Sequence, residues 1–154
     1  VKNIGVCNFP VALLSDLLSY CNILPSVLQV EIHPENPQNA LLKFCQQNDV
    51  HVSAFSPLGG KSYQTPSLLE HDIILELAKK YKCTPSQILL SWGRKRGTSV
   101  VVRSDNPTHI EQNFKNINIQ DDDILKISSF EKGLRYNDPK LFTPEKNGFE
   151  PIYD

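Results

Sequence analysis

VLQVEIHPENPQNALLKFCQQNDVHVSAF, residues 27–55, opens and closes on apolar runs and holds a helical pattern between them. Val27–Ile32 (VLQVEI) and Val50–Phe55 (VHVSAF) read as strands. Pro37 opens the intervening helix at its first position, where a missing N–H is harmless. The helix runs to about Asn48, with Leu41, Leu42 and Cys45 inward. Strand, helix and strand in this order imply parallel strands joined by a right-handed crossover.

The alternation continues on both sides. Lys2–Val6 (KNIGV) reads as a strand, and Val11–Cys21 as a helix with Leu13, Leu14, Leu17, Leu18 and Cys21 at helical spacing. After Phe55 comes a Gly-, Ser- and Pro-rich loop, Ser56–Pro66, of a length usually reserved for function or disorder. Leu68–Tyr81 reads as a helix with Ile74, Leu77, Ala78 and Tyr81 on one face. Thr84-Pro85-Ser86-Gln87 opens the next with a capping box, and that helix ends near Gly97. Ser99–Val102 (SVVV) is a fourth strand; Asn106-Pro107 starts a helix through Phe114. Asp121–Phe130 is the last helix, its three aspartates at the positive N-terminal end. Glu131–Asp154 reads as ordered irregular structure. Four β/α units fit an open doubly wound sheet or part of a (β/α)8 barrel. A complete barrel needs at least about 200 residues and eight strands, so this is half of one.

The 154 residues carry a formal charge of −1 and are 40% hydrophobic, the profile of a single soluble globular unit. Near-zero charge argues against nucleic acid or an acidic membrane as partner. No apolar run approaches the roughly 20 residues of a membrane span, and no signal peptide is evident. With no methionine and a start on Val-Lys-Asn-Ile-Gly, the chain reads as having lost a leader or as a piece of something longer. Cys7, Cys21, Cys45 and Cys83 are widely spaced with no CxxC, which predicts reduced thiols in a cytoplasmic compartment. Cys21 and Cys45 are read as core. His33, His51, His71 and His109 lack metal spacing, and no metal site is assigned.

Both architectures bind ligands at the C-terminal ends of their strands. Those ends hold Cys7 and Asn8; Gln29, Glu31 and His33; Ser56 to Gly60; and Arg103, Ser104, Asp105 and Asn106 leading into a helix. A cation, a hydroxyl and helix-end N–H groups suit a phosphate. The small-residue loop lets backbone approach a ligand. Asn8 and Gln29 can read an amide by paired hydrogen bonds. Together they favour one extended ligand carrying an amide and a phosphate.

Specific segments carry a resemblance. Ile4-Gly5-Val6-Cys7-Asn8-Phe9 resembles the IGVSNF of the aldo-keto reductases, Gln29–Pro34 their QVExHP and Phe55–Gly59 their YSPLG. Thr84–Trp92 resembles TPAQVLLRW, and Val101–Ser104 resembles IPKS. Order and spacing agree along essentially the whole chain. The tail segment Gly133–Pro139 is most similar to the xylose (aldose) reductase branch.

The resemblance implies the C-terminal half, strands five to eight, of a (β/α)8 barrel with a substrate loop from about residue 131. It implies one partial domain over 1–154 and NAD(P)H-dependent reduction of aldehydes or small ketones. Cys7, Asn8 and Gln29 would lie at the nicotinamide carboxamide, and Phe55 would stack on the nicotinamide. Ser56 and Leu58 would line the pyrophosphate. Arg103, Ser104, Asp105, His109, Gln112 and Asn113 would surround the adenosine and its 2′-phosphate. Asn137 would stand on the substrate side.

Departures from the family pattern shape the expectation. Cys7 replaces serine, Phe55 tyrosine, Arg103 lysine, Asp105 asparagine and His109 arginine. An acid at 105 repels a 2′-phosphate but accepts from a ribose hydroxyl, so NADP(H) with tolerance of NAD(H) is expected. Lys140 and Leu141 depart from the tail motif and point away from a sugar substrate. The family's catalytic tyrosine, lysine, aspartate and histidine lie in strands two to four, whose motifs are absent. Tyr20, Tyr63, Tyr81, Tyr136 and Tyr153 lie outside any matching segment, and His33 is read as structural, so no catalytic residue is assigned. Open strand edges predict self-association of such a half. A truncated, non-catalytic dinucleotide-binding or regulatory relative is the alternative reading.

Overall fold

In the computed structural model, which describes residues 1–60 and 67–137, the 27–55 unit forms as a parallel βαβ. The elements are β1 (Gly5–Cys7), α1 (Val11–Tyr20), β2 (Val27–Glu31), α2 (Asn39–Gln47) and β3 (His51–Phe55). A 3-10 turn (Leu68–Glu70) precedes α3 (Asp72–Tyr81) and α4 (Pro85–Lys95). Then come β4 (Ser99–Val101), α5 (Pro107–Phe114) and α6 (Asp121–Ser128). The sheet is wholly parallel in the order β1-β2-β3-β4.

Strand pleating decides what each face carries. Leu28 and Val30 on β2 pair with Val52 and Ala54 on β3, and all four are buried against helices. Cys7, Gln29 and Val101 are exposed on the opposite face, with Phe55 half-buried there. Parallel sheets are ordinarily covered on both faces; this one leaves a face open.

Several boundaries move from those read in the sequence. The β1 ladder starts at Gly5, whose partner Val27 begins β2; ahead of it the Ile4 carbonyl still accepts from Ser26 N–H at 2.8 Å. β4 ends at Val101, the partner of Phe55. Pro37 does not open α2: Gln38, left-handed at φ 53°, is the N-cap, and the Pro37 carbonyl accepts from Arg96 Nη2 at 2.7 Å. Leu41, Leu42 and Cys45 are buried as read. The segment from Leu68 is not one helix. His71 is extended (ψ 129°), caps Ile73 N–H through Nδ1 at 3.3 Å and stacks on Phe130 at 4.0 Å. α1 buries Leu14 but leaves Leu13 exposed, and Cys21 lies past its end, half-buried. The cause is position: α1 flanks an edge strand. All four cysteines are free thiols.

The Thr84–Gln87 capping box forms as read, and it starts a helix whose residues Gln87 to Gly93 are all buried. Gly93 is required there, since a Cβ would meet Val100 Cγ1 at 2.8 Å. Asp123, read with its neighbours as a dipole partner, instead joins α3 to α6. Its buried carboxylate accepts from Lys80 Nζ and Tyr81 O–H, both at 2.6 Å, and from Lys126 Nζ at 3.1 Å. The Lys80 and Tyr81 bonds hold its pKa down at about 2. A carboxylate depressed on folding stabilises fully above its unfolded value of about 3.9. That stabilisation is lost as pH falls through about 2. Asp123→Asn is therefore expected to cost about 1–3 kcal/mol at neutral pH. Its penalty shrinks in acid; urea unfolding at neutral and acid pH checks both.

Candidate functional site

Parallel pairing brings the C-terminal ends of all four strands to one edge of the sheet. The register sets Cys7 beside Gln29 and Gln29 beside Ser53, with Glu31, Phe55 and Val101 in the next row on the same face. Asn8 turns the chain out of β1 in the left-handed region (φ 59°), where asparagine is among the residues best tolerated. Its N–H donates to the Gln29 carbonyl at 2.9 Å. Its side-chain Oδ1 is buried and has no hydrogen-bond partner among the described residues. A buried acceptor without a donor costs about 1–3 kcal/mol, so this atom is poised for one.

Ser56 leaves β3 in the same left-handed conformation (φ 49°), and its carbonyl accepts from Gly59 N–H at 2.9 Å. Its Oγ accepts from Asn137 Nδ2 at 2.9 Å and keeps its own O–H to donate. The glycines that follow are not open to a ligand as read. A Cβ at Gly60 would lie 2.9 Å from the Tyr136 ring, and one at Gly59 would lie 2.9 Å from Leu68 Cδ1. The chain's own side chains fill that space. Residues 61–66 of the predicted loop, with Tyr63, lie outside the described residues.

Beyond β4, an open cleft of about 340 Å³ is lined by Leu58, Leu69, Thr84–Ser86, Arg103, Ser104, His109, Gln112 and Asn113. Asp105 pairs with Arg103 at its rim, Nη2 to Oδ2 at 3.2 Å, with both side chains more than four-fifths exposed. The helix-end donors expected for a phosphate are partly spent. Ser104 Oγ accepts from Asn106 N–H at 3.2 Å, and Asn106 Oδ1 accepts from Thr108 N–H at 2.9 Å. α4 steadies the far wall: Gln87 Nε2 donates to the Gln112 carbonyl at 3.0 Å, and Arg94 Nη2 to that of Asn113 at 2.6 Å.

The candidates thus fall in two clusters: Cys7, Asn8, Gln29 and Phe55 at the sheet edge, and Leu58 with Arg103 to Asn113 at the cleft. The Ser56–Gly60 turn links them. Leu69, Thr84, Pro85 and Ser86 were not anticipated as lining residues, although the capping box already marked a helix start there. Glu31, read among the strand-end residues that could face a ligand, instead bonds the tail, and Glu35 and Tyr136 were given no role. Glu31 accepts from His33 Nε2 at 3.1 Å and from the N–H groups of Tyr136 (2.7 Å) and Asn137 (3.1 Å). Burial pushes its pKa up, but these bonds outweigh burial and hold it below the ordinary range. Glu35 is likewise raised by burial and brought below it by Lys132 and Tyr136. His33, read as structural, is wholly buried with its Nε2 on Glu31. Among the described tyrosines, Tyr20 is exposed at the end of α1, Tyr81 serves Asp123, and Tyr136 bonds Glu35. Tyr153, Lys140 and Leu141 lie outside the described residues.

A model of the Aldo/keto reductase family matches residues 1–132. The chain belongs to the aldo/keto reductase family. It is 41% identical to an NAD(P)H-dependent D-xylose reductase of Candida tenuis, over 90% of this chain and 47% of the relative. It is 40% identical, with the same coverages, to a probable NAD(P)H-dependent D-xylose reductase of Aspergillus flavus. Among solved structures, an aldose reductase of Giardia lamblia matches all of this chain and 52% of its own, at TM-score 0.87 and 37% identity. An aldo-keto reductase of the silkworm Bombyx mori matches at TM-score 0.86 and 30% identity, over 97% of this chain and 48% of its own. A complex of the silkworm enzyme with NADPH matches at TM-score 0.84.

This aldo/keto reductase chain spans about half the length of the curated relatives it matches. Its four β/α units are half of a (β/α)8 barrel, which accounts for the sheet face left open. Among the described residues no helix is long and apolar enough to cross a membrane, and no group of three His, Cys, Asp or Glu side chains could hold a metal ion.

Proposed function

We propose that this chain supplies the cofactor-binding half of an NAD(P)H-dependent reductase of aldehydes or small ketones. It would serve as strands five to eight of the barrel, with a substrate loop from about residue 131. The observation that carries the reading is the partnerless Asn8 Oδ1 beside Gln29, joined by the Ser56 turn to a cleft with Arg103 at its rim. A carboxamide N–H2 meets the first, a phosphate the second, and a nicotinamide dinucleotide carries both. Phe55 stands on the same sheet face as Gln29, where a flat ring can stack. These residues would hold the dinucleotide, which would supply hydride for a carbonyl carbon. The proton for the resulting oxygen needs a general acid, a role assigned to no residue of this chain. The free thiols and modest charge suit the cytoplasm.

Fluorescence titration with NADPH, and aldehyde turnover by the complete protein, test this reading. Binding and turnover support it. Binding without turnover favours a non-catalytic dinucleotide-binding relative, and absence of binding overturns both. The chain alone should turn over no aldehyde. Its open edge strands β1 and β4 should drive self-association; a monomer at every concentration in a sizing experiment contradicts that.

Cofactor choice turns on the Arg103–Asp105 pair at 3.2 Å. Asp105 offsets the charge that would attract a 2′-phosphate and can accept from a ribose 2′-hydroxyl. NADH is therefore tolerated beside NADPH. Asp105→Asn removes the repulsion and is expected to raise the NADPH-over-NADH preference roughly tenfold, about 1.4 kcal/mol. Dissociation constants for both cofactors check it; a wild type already preferring NADPH by a thousandfold contradicts the premise.

A further inference from the structure

We propose that Glu31 and Glu35 are positioning residues. Together they latch Lys132–Asn137 onto the end of β2 and so set where Tyr136 and Asn137 stand at the substrate side. The proposal rests on the functional reading above and adds residues to it. None of residues 131–137 is fully buried, so apolar packing is limited to partly buried side chains such as the Tyr136 ring. Polar bonds hold the segment in place. Glu31 takes the N–H of Tyr136 on Oε1 at 2.7 Å and that of Asn137 on Oε2 at 3.1 Å. Glu35 takes the N–H groups of Lys132 and Leu134 on its backbone carbonyl, both at 3.1 Å. Its carboxylate takes Lys132 Nζ at 2.6 Å and the Tyr136 O–H.

The two carboxylates are 1% and 3% exposed, a costly placement for a charge unless donors surround it. Of their side-chain bonds among the described residues, only that from His33 comes from outside the tail segment. Bonds to an ionised acceptor are about twice as strong as neutral ones and direction-specific, which suits placement of a segment without regular structure. The result reaches the cofactor turn. Asn137 Nδ2 meets Ser56 Oγ at 2.9 Å, and the Tyr136 ring lies on Gly60. The His33 ring, 4.9 Å from that of Tyr136, backs it from below.

Glu31→Gln and Glu35→Gln in the complete protein, with amide hydrogen exchange and steady-state kinetics on butanal with NADPH, test the latch. Glu31→Gln should speed exchange at Tyr136 and Asn137 roughly tenfold and raise the KM for butanal about three- to tenfold. Both kcat and the NADPH dissociation constant should change by less than about twofold. Glu35→Gln weakens the bonds to Lys132 Nζ and Tyr136 O–H and should raise the KM in the same direction, with a smaller exchange effect at Lys132 and Leu134, whose N–H groups keep the Glu35 backbone carbonyl. Tyr136→Phe removes one O–H, keeps the ring and should act in the same direction, which covers a Glu31→Gln chain that fails to fold. Faster exchange with KM unmoved makes the carboxylates merely structural and overturns the proposal, as does unchanged exchange in all variants. If the wild type neither binds NADPH nor reduces butanal, the functional reading falls, and the exchange arm alone decides the latch.

Discussion

Arg103→Ala should weaken NADPH binding by roughly 10- to 150-fold while moving NADH by less than about threefold. Charge-assisted hydrogen bonds contribute about 1.5–3 kcal/mol, which is that range of affinity. Among the described residues lining the cleft, Arg103 is the one fixed cation. Its guanidinium is 88% exposed and its bond to Asp105 is a surface pair at 3.2 Å. Exposed pairs contribute about 0–1 kcal/mol to stability, so the protein should fold as before. The substitution also leaves Asp105 uncompensated, adding repulsion to lost attraction for a 2′-phosphate. Arg103→Lys should recover part of the loss, since it restores charge without the planar fork. Fluorescence titration of both cofactors reads the result. Equal weakening of NADPH and NADH would remove the 2′-phosphate from this cleft.

The second large effect is on stability. Trp92→Ala should destabilise the protein by about 3–5 kcal/mol, the usual range for emptying a large core site. Trp92 is 1% exposed within Gln87–Gly93, the stretch of α4 that is buried at every residue. Its Nε1 donates to Ser128 Oγ at 3.1 Å, joining α4 to α6, and Arg96 covers its ring at 4.4 Å. Neighbours on a sheet and two helices can relax only partly into the space left. Trp92→Phe should recover most of the loss, because Ser128 Oγ still donates to the Ile124 carbonyl at 2.8 Å. Urea unfolding measures both, and a cost under about 1 kcal/mol for alanine would mean the site collapses freely.

Features written within a few residues of one another were readable in the sequence. The strand–helix alternation, the inward Leu41, Leu42 and Cys45, and the capping box at Thr84–Gln87 all follow from spacing or from bonds spanning three or four residues. The site clusters were legible because parallel strands must place their C-terminal ends together. The helix start expected at Pro37 moved to Asn39: Gln38 is left-handed, and Arg96, 59 residues on from Pro37, takes the Pro37 carbonyl. The break at His71 likewise involves stacking on Phe130.

The order of residues alone settled a parallel β/α architecture and which amides, hydroxyls and charges gather at one sheet edge. Periodicity and local capping need no knowledge of the remote chain. Folding settled that Glu31 and Glu35 serve the tail rather than a ligand, that Gly59 and Gly60 make room for Leu68 and Tyr136, and that Asn8 Oδ1 is left without a donor among the described residues. The bonds of Glu31 to Tyr136 and Asn137 span 105 and 106 residues. Pairings across such distances exist only where the closed chain brings donor to acceptor, and no local pattern records them.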